Sequence, residues 1–72
     1  MKILKIDRTK QGVQITVEHN KNYLISQDVT DNHQWQAVAK QLATENNIYY
    51  QVSEIRAFKN EAQITYAKSL DN

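Results

Sequence analysis

The feature that most constrains the fold is a strict alternation of apolar and polar residues over positions 13–18, which read Val-Gln-Ile-Thr-Val-Glu. Successive side chains of a β-strand point to opposite faces of its sheet. The alternation therefore predicts a strand with one face in a core and the other in solvent. A chain built around such a strand must contain a sheet and an element that covers its apolar face.

The residues before this strand supply its first partner. Leu4 and Ile6 have the spacing of an inner face, and we predict that Ile6 lies opposite Ile15. Leu4 then lies opposite Val17, and residues 9–12 form a four-residue loop. A register shifted by one residue would bury charged side chains, so the hydrophobic pattern selects this one.

A second turn and a third strand are predicted next. A loop over residues 20–22 brings Ile25 opposite Val17. The same turn places Tyr23 opposite His19, which completes a three-stranded meander.

An amphipathic helix is predicted over residues 32–45. Its apolar residues recur at three- and four-residue steps, as a helix face packed on a core requires; they are Trp35, Val38, Ala39, Leu42 and Ala43. Asp31 is the predicted N-cap, with Gln34 three positions on as in a capping box. Asn46 and Asn47 are the predicted stop, because asparagine adopts the left-handed conformation readily.

The remaining residues predict a second hairpin. A turn at residues 59–60 places Ala62 opposite Ala57 and, further from the turn, Ile64 opposite Ile55. Ala62, Ile64 and Tyr66 alternate with polar residues, as strands with one buried face do.

The apolar phase changes within the first arm of this hairpin. Ile48, Tyr50 and Val52 occupy even positions, whereas the apolar residues after them are odd. One extra residue near Ser53 and Glu54, as a β-bulge supplies, keeps both sets on the core face. A short helix over residues 53–58 is the alternative.

These elements predict one α+β domain over residues 1–72, an antiparallel sheet in the order β-β-β-α-β-β with one helix on one face. No internal repeat or linker is evident. The chain has one Gly and no Pro. We therefore expect Asn, Asp and Gly12 to make the turns, since these residues adopt a positive φ at least cost.

Composition excludes several classes of protein. A 72-residue chain has a thin core, and without Cys no disulfide can reinforce it, so oligomerisation stays open. Residues 1–7 lack the apolar stretch of a signal peptide, and no apolar run approaches the roughly 20 residues of a membrane span. We expect a cytoplasmic protein.

Few residues point to chemistry. Ser26, Asp28 and His33 are the residue types of a hydrolytic triad, but triads are defined by geometry, and a small hydrolase is only a third hypothesis. Asp28, Asp31 and His33 lack any standard metal-ligand spacing. A single Gly excludes the usual phosphate-binding loops. The sequence predicts a protein that is not an enzyme and that has no cofactor or metal.

Nucleic-acid binding is the alternative function. The predicted register sends Arg56 and Phe58 to one face, and an exposed aromatic beside a cation is what stacking on unpaired bases uses. The candidate residues are Lys5, Lys10, Arg56, Phe58 and Lys59, and Tyr49 can join this face. The pI of 8.0 lies below the value of about 9 that is typical of nucleic-acid-binding domains.

The leading hypothesis is a non-catalytic protein–protein interaction module that self-associates, most simply as a homodimer. The predicted register leaves apolar side chains on the outer face of the sheet, and several of these together indicate a binding surface. The candidate partner-binding residues are Ile3, Leu24 and Phe58.

Overall fold

The computed structural model describes residues 1–19 and 28–68. In the order β-β-α-β-β, the elements are β1 (Lys2–Arg8), β2 (Gly12–Glu18), α1 (His33–Glu45), β3 (Gln51–Ala57) and β4 (Glu61–Ala67). The strands form one antiparallel sheet in the order β1-β2-β4-β3. The predicted α+β class is confirmed, and the predicted strand at residues 23–25 lies outside the described residues.

A row of four isoleucines crosses the inner face of the sheet. Ile6 lies opposite Ile15, Ile15 opposite Ile64, and Ile64 opposite Ile55. The last three are fully buried, whereas Ile6 on the edge strand is partly buried. Both predicted hairpin registers are therefore confirmed at their isoleucines.

Helix α1 covers this face with its apolar side. Trp35 and Ala39 are buried in the same core as the isoleucine row. The Tyr66 hydroxyl donates a 2.6 Å hydrogen bond to the Ala39 carbonyl, which joins strand β4 to the middle of the helix. The helix contacts β3, and at its end the Arg8 side chain of β1 donates a 3.1 Å hydrogen bond to the Asn46 carbonyl.

The two hairpins share a short sequence pattern. The tripeptide Gln-Ile-Thr occurs at 14–16 in β2 and at 63–65 in β4. Each tripeptide follows, at the same spacing, an isoleucine on the preceding strand, Ile6 or Ile55. The pairing of Ile15 with Ile64 at the centre relates the two hairpins by an approximate two-fold axis.

The loops of the hairpins are closed in the same way. The Thr9 N–H donates to the Gly12 carbonyl at 2.9 Å, and the Phe58 N–H donates to the Glu61 carbonyl at 2.7 Å. The predicted loop over residues 9–12 and the predicted turn at 59–60 are both confirmed. Hydrogen-bonded and non-hydrogen-bonded pairs alternate from each loop onwards. Because the two loops are closed by equivalent hydrogen bonds, a residue of β1 and its equivalent in β3 direct their backbone N–H and C=O groups to the same side, either to the partner strand or away from it.

Strand β1 contains a bulge that was not predicted. Ile3, rather than Leu4, lies opposite Val17, and the register shifts between Ile3 and Lys5. Partners across a strand pair share a face, so Ile3 lies on the side of Val17 and does not point to the outer face as expected. Ile3 and Leu4 are both apolar, so the pattern of apolar and polar residues does not reveal that Leu4 is an extra residue.

Strand β3 contains the bulge that the phase change predicted. Its register with β4 shifts between Val52 and Glu54, which makes Ser53 the extra residue. The segment is a strand through Ala57, so the alternative of a short helix is wrong. Leu4 and Ser53 stand two positions before Ile6 and Ile55 and are thus equivalent in the two hairpins.

Both edges of β2 are occupied by strands other than the predicted third one. Val17 lies between Ile3 of β1 and Ala62 of β4. The predicted pairing of Val17 with Ile25 is therefore wrong. The observed pairing aligns β2 with β4, two alternating strands that each have a fully buried face. The three apolar residues at 23–25 would bury less apolar surface against β2. Residues 20–22 and Tyr23, which the prediction also used, lie outside the described residues.

The helix ends are set by asparagines. Asn32, not the predicted Asp31, is the N-cap, because its Oδ1 accepts hydrogen bonds from the backbone of Gln34 (2.9 Å) and Trp35 (3.1 Å). At the other end Asn47 has a φ of 57°, which confirms the predicted left-handed stop. The Ile48 N–H donates to the Ala43 carbonyl at 2.9 Å, as in a Schellman motif.

Gly12 serves a purpose other than the one expected. Among the described residues Asn47 alone has a positive φ, so Gly12 is not used for that conformation. A Cβ built on Gly12 would overlap the carbonyl oxygen of Tyr66 on the neighbouring strand. The missing side chain allows β2 and β4 to approach each other at the start of β2.

Candidate interaction edge

The outer edge of β3 is covered by the chain itself. The Val29 N–H donates to the Ile55 carbonyl at 3.0 Å, and the Ile55 N–H donates to the Thr30 Oγ1 at 3.0 Å. Both backbone groups of Ile55 that point away from β4 are therefore hydrogen-bonded. We call residues 28–30 the edge cap.

The edge cap is held in place by Asp28. One carboxylate oxygen, Oδ1, accepts a 2.5 Å hydrogen bond from the Thr30 hydroxyl and a 3.0 Å hydrogen bond from the Thr30 N–H. The hydroxyl proton is thus directed to Asp28, which leaves the Thr30 oxygen to accept from Ile55. The Thr30 hydroxyl, followed by its N–H, lowers the pKa of Asp28 below its usual value.

The equivalent position on the other edge is Ile6. Hydrogen-bonded and non-hydrogen-bonded pairs alternate along an antiparallel ladder. The pair of Thr9 and Gly12 next to the loop is hydrogen-bonded. The pair of Ile6 and Ile15 lies three pairs further along the ladder and is therefore non-hydrogen-bonded. The N–H and C=O of Ile6 therefore point away from β2, as those of Ile55 point away from β4. Within residues 1–19 and 28–68, no hydrogen bond is made to this outer side of Ile6.

Apolar side chains accompany this open edge. Met1, Ile3 and Leu4 are 62%, 36% and 44% exposed, while the core residues of β2 are almost fully buried. All three belong to β1 or directly precede it. An edge strand with unpaired backbone groups and exposed apolar side chains is a template for pairing with another strand.

The outer face of the sheet is polar and balanced in charge. One row across the four strands consists of Lys5, Thr16, Gln63 and Arg56, and the next consists of Asp7, Gln14, Thr65 and Glu54. The charged residues pair along their strands, Lys5 Nζ to Asp7 Oδ2 at 3.3 Å and Arg56 Nε to Glu54 Oε1 at 2.6 Å. The described strands do not form the apolar outer face that the sequence led us to expect.

The residues of the predicted nucleic-acid surface are spread over the molecule. Lys5 and Arg56 end one row on opposite edges, about 14 Å apart at the usual strand spacing. Lys10 lies in the loop of the first hairpin, whereas Phe58 and Lys59 lie in the turn of the second, at the opposite end of the strands. The exposed Tyr49 precedes β3.

The three predicted partner-binding residues have different positions. Ile3 lies on the open edge of β1. Phe58, which is 42% exposed, lies in the turn after β3, three strand spacings away. Leu24 lies outside the described residues. The structure adds Leu4 and Ile6 to the edge, which the predicted register had assigned to the core.

His19, which the sequence analysis placed opposite Tyr23 in the predicted third-strand pairing, is buried. Its ring stands edge-on to Trp35, with centroids 5.1 Å apart. Its Nε2 lies 3.0 Å from the Phe58 carbonyl and 3.3 Å from the Glu61 carbonyl. Only a protonated Nε2 can donate to these oxygens, so His19 fastens the end of β2 to the second hairpin. Its odd position, continuing the alternation of 13, 15 and 17, is the signal that could have revealed its burial.

The proposed triad and metal residues are not assembled. Asp28, Asp31 and His33 are exposed around the start of α1, and Ser26 lies outside the described residues. Asp28 is engaged by Thr30. Among the residues that the structure describes, no three potential metal ligands lie together.

The depressions on the described surface include two next to β2 and α1. One, of about 480 Å³, lies at the start of β2 and includes Arg8, Gln14 and Thr65. The other, of about 550 Å³, lies between α1 and β3 and includes Lys40, Tyr50 and Val52. Their volumes fall in the range of ligand sites, and Tyr66, whose pKa burial raises to about 12, lines both.

Comparison with known proteins gives this chain no relative. In the described residues, no helix has the length and the apolar character needed to cross a membrane. No family model, no curated protein and no solved structure matches the chain.

Proposed function

We propose that this protein is a non-catalytic protein–protein interaction module that binds an extended segment at the outer edge of β1. The observation that carries this proposal is the difference between two equivalent positions. Ile55 has both outward backbone groups hydrogen-bonded to the edge cap, and Ile6 has neither bonded within the described chain. Strand addition satisfies such groups and is a recurrent mode of protein recognition.

The side chains around Ile6 suit an added strand. Ile3 and Leu4 offer exposed apolar surface near the start of β1, and the Lys5–Asp7 ion pair lies on the outer face beside them. In strand addition, backbone hydrogen bonds give affinity and the alternate side chains give specificity. An apolar side chain entering beside Ile6 would extend the isoleucine row by one strand.

A pair of matched variants tests this function. Leu4→Lys places a charge on the bulge of the open edge, where lysine disfavours strand pairing. Ser53→Lys places the same charge on the equivalent bulge of the capped edge. Each tagged protein is used to capture partners from a lysate of the native host, with and without nuclease.

We expect a protein that survives nuclease to be captured by the wild type and by Ser53→Lys, and to be lost with Leu4→Lys. Equal capture by all three proteins would reject the β1 edge as the binding surface. Loss of all captured material on nuclease treatment would instead support nucleic-acid binding through Lys5, Lys10, Arg56, Phe58 and Lys59.

A further inference from the structure

We propose that the segment bound at the β1 edge is strand β1 of a second copy of this chain, paired antiparallel about a two-fold axis at Ile6. This inference rests on the proposed function and specifies its partner. The homodimer would contain one continuous eight-stranded sheet, with the two β1 strands at its centre.

The hydrogen-bonding phase of β1 limits where the axis can lie. The N–H and C=O of Ile6 and Arg8 point outward, because their pairs with β2 are non-hydrogen-bonded, whereas those of Lys5 and Asp7 are directed to β2. An axis at Arg8 would set two guanidinium groups opposite each other. An axis at Ile6 sets isoleucine opposite isoleucine, and the two residues exchange both of their outward hydrogen bonds.

The charges of β1 match this register. With the axis at Ile6, Lys5 lies opposite the partner's Asp7, and Asp7 lies opposite the partner's Lys5. Lys5 and Asp7 already form an ion pair within one chain at 3.3 Å. The dimer would therefore gather two lysines and two aspartates into a four-membered cluster of alternating charge on the outer face, an arrangement that fixes the register of pairing strands.

The inner face favours the same register. The row of Ile55, Ile64, Ile15 and Ile6 in one copy meets Ile6 of the partner subunit and continues across its sheet. Ile6 is the member of the row that its own chain leaves partly exposed. Pairing at this position would bury the part of Ile6 that remains exposed.

The self-association is tested by reversing charges. Sedimentation velocity from about 1 µM to about 1 mM measures the dimer dissociation constant. We expect the wild type to dimerise within this range. Lys5→Asp and Asp7→Lys each place four like charges at the axis, and we expect each to weaken the dimer by about tenfold or more. The double variant, Lys5→Asp with Asp7→Lys, restores alternating charge and should restore the affinity.

The capped edge provides the control. Glu54→Lys reverses the charge at the position equivalent to Lys5 in the second hairpin and should leave the dissociation constant unchanged. Thermal unfolding of each variant establishes that it is folded. As a second measurement on the wild type, the Ile6 amide should become protected from hydrogen exchange as the concentration rises, while the Ile55 amide is protected throughout.

The two proposals fail in different ways. A wild type that stays monomeric over the whole range overturns the homodimer. Capture of a partner that still depends on Leu4 would then leave the proposed edge function standing. A dimer that responds equally to Glu54→Lys and to Lys5→Asp, or that the double variant does not restore, overturns the register at Ile6.

Discussion

The two hairpins have the same construction and different surroundings. Both have a bulge two residues before an isoleucine, a four-residue loop and a Gln-Ile-Thr return strand. Residues 28–30 seal the edge of the second hairpin, whereas no described residue is hydrogen-bonded to the outer side of Ile6 in the first. The hairpin geometry alone therefore does not decide whether an edge is available, and among the described residues Val29 and Thr30 make the difference.

The two hairpins also differ in which of their side chains contact the helix and which are exposed on an edge strand. Tyr66 and Val17 occupy equivalent places in the two return strands, but only the tyrosine has a hydroxyl that reaches the helix. Tyr66 thus ties the second hairpin to the middle of α1, while Arg8 of the first hairpin bonds to the end of the helix at Asn46. Among the residues of the first hairpin, Ile3 and Leu4 are exposed apolar side chains on its edge strand. The following predictions test these differences, from the largest expected effect to the smallest.

Gly12→Ala should be the most destabilising of these substitutions, by about 3 kcal/mol, because its Cβ would overlap the Tyr66 carbonyl and force the central strands apart. Glu61→Ala is the matched control, since Glu61 occupies the equivalent position and already has a Cβ. Urea unfolding measures both. A loss of less than about 0.5 kcal/mol for Gly12→Ala would contradict a close approach at this point.

Thr30→Val should destabilise the fold by about 1–2 kcal/mol, because it leaves the Ile55 N–H without its acceptor and releases the edge cap from Asp28. The Ile55 amide should then exchange with solvent faster, as an open edge does. Thr16→Val on the outer face is the control and should change stability by less than about 0.5 kcal/mol. Unchanged exchange at Ile55 in Thr30→Val would show that the cap does not protect this edge.

Tyr66→Phe should cost about 1 kcal/mol at neutral pH through loss of the bond to the Ala39 carbonyl. Burial raises the pKa of Tyr66 to about 12 from its ordinary 10.0. The folded protein therefore holds this proton more tightly than the unfolded chain, so its contribution is complete below pH 10 and is lost as the pH rises towards 12.

Stability measured by urea unfolding between pH 9 and about 12 checks this dependence. The wild type and Tyr49→Phe, a variant of a tyrosine that is 88% exposed, should both lose stability over this range. Tyr66→Phe should lose less. Parallel curves for all three proteins would show that the Tyr66 hydroxyl is not the group that holds the helix.

Asp28→Asn should have the smallest effect and should act mainly at acid pH. The hydroxyl and N–H of Thr30 lower the pKa of Asp28 below 3.8, so the folded state favours the carboxylate. That contribution is present above pH 3.8 and is lost as the pH falls through the lower folded value. Comparison of urea midpoints at neutral and acid pH should show a smaller acid loss for Asp28→Asn than for the wild type or for Asp31→Asn.

Local pattern sufficed to predict both hairpins. The alternation at 13–18 and at 62–66 gave the pairs Ile6–Ile15 and Ile55–Ile64, since only these registers bury the apolar sets. The bulge at Ser53 was predictable because it changes the phase of the apolar residues. The bulge at Leu4 was not, because Ile3 and Leu4 are both apolar and either can face the core.

Contacts between distant segments could not be derived in this way. The pairing of β2 with β4 competes with a local third strand, and the choice depends on how much surface each buries in the finished fold. The edge cap depends on a single threonine that lies near Ile55 only in the tertiary structure. Ile3 was predicted as a partner-binding residue on the outer face, whereas its position on the β1 edge and the cap on β3 came from the structure.

The edge cap has a consequence for stoichiometry. A sheet with two accepting edges can add copies head to tail without limit, which produces filaments. Because Val29 and Thr30 occupy the middle of the β3 edge, the described part of the chain leaves β1 as the accepting strand, and the proposed assembly through β1 would close at two members. A variant that lost the cap would expose a second edge and change a finite complex into a growing one.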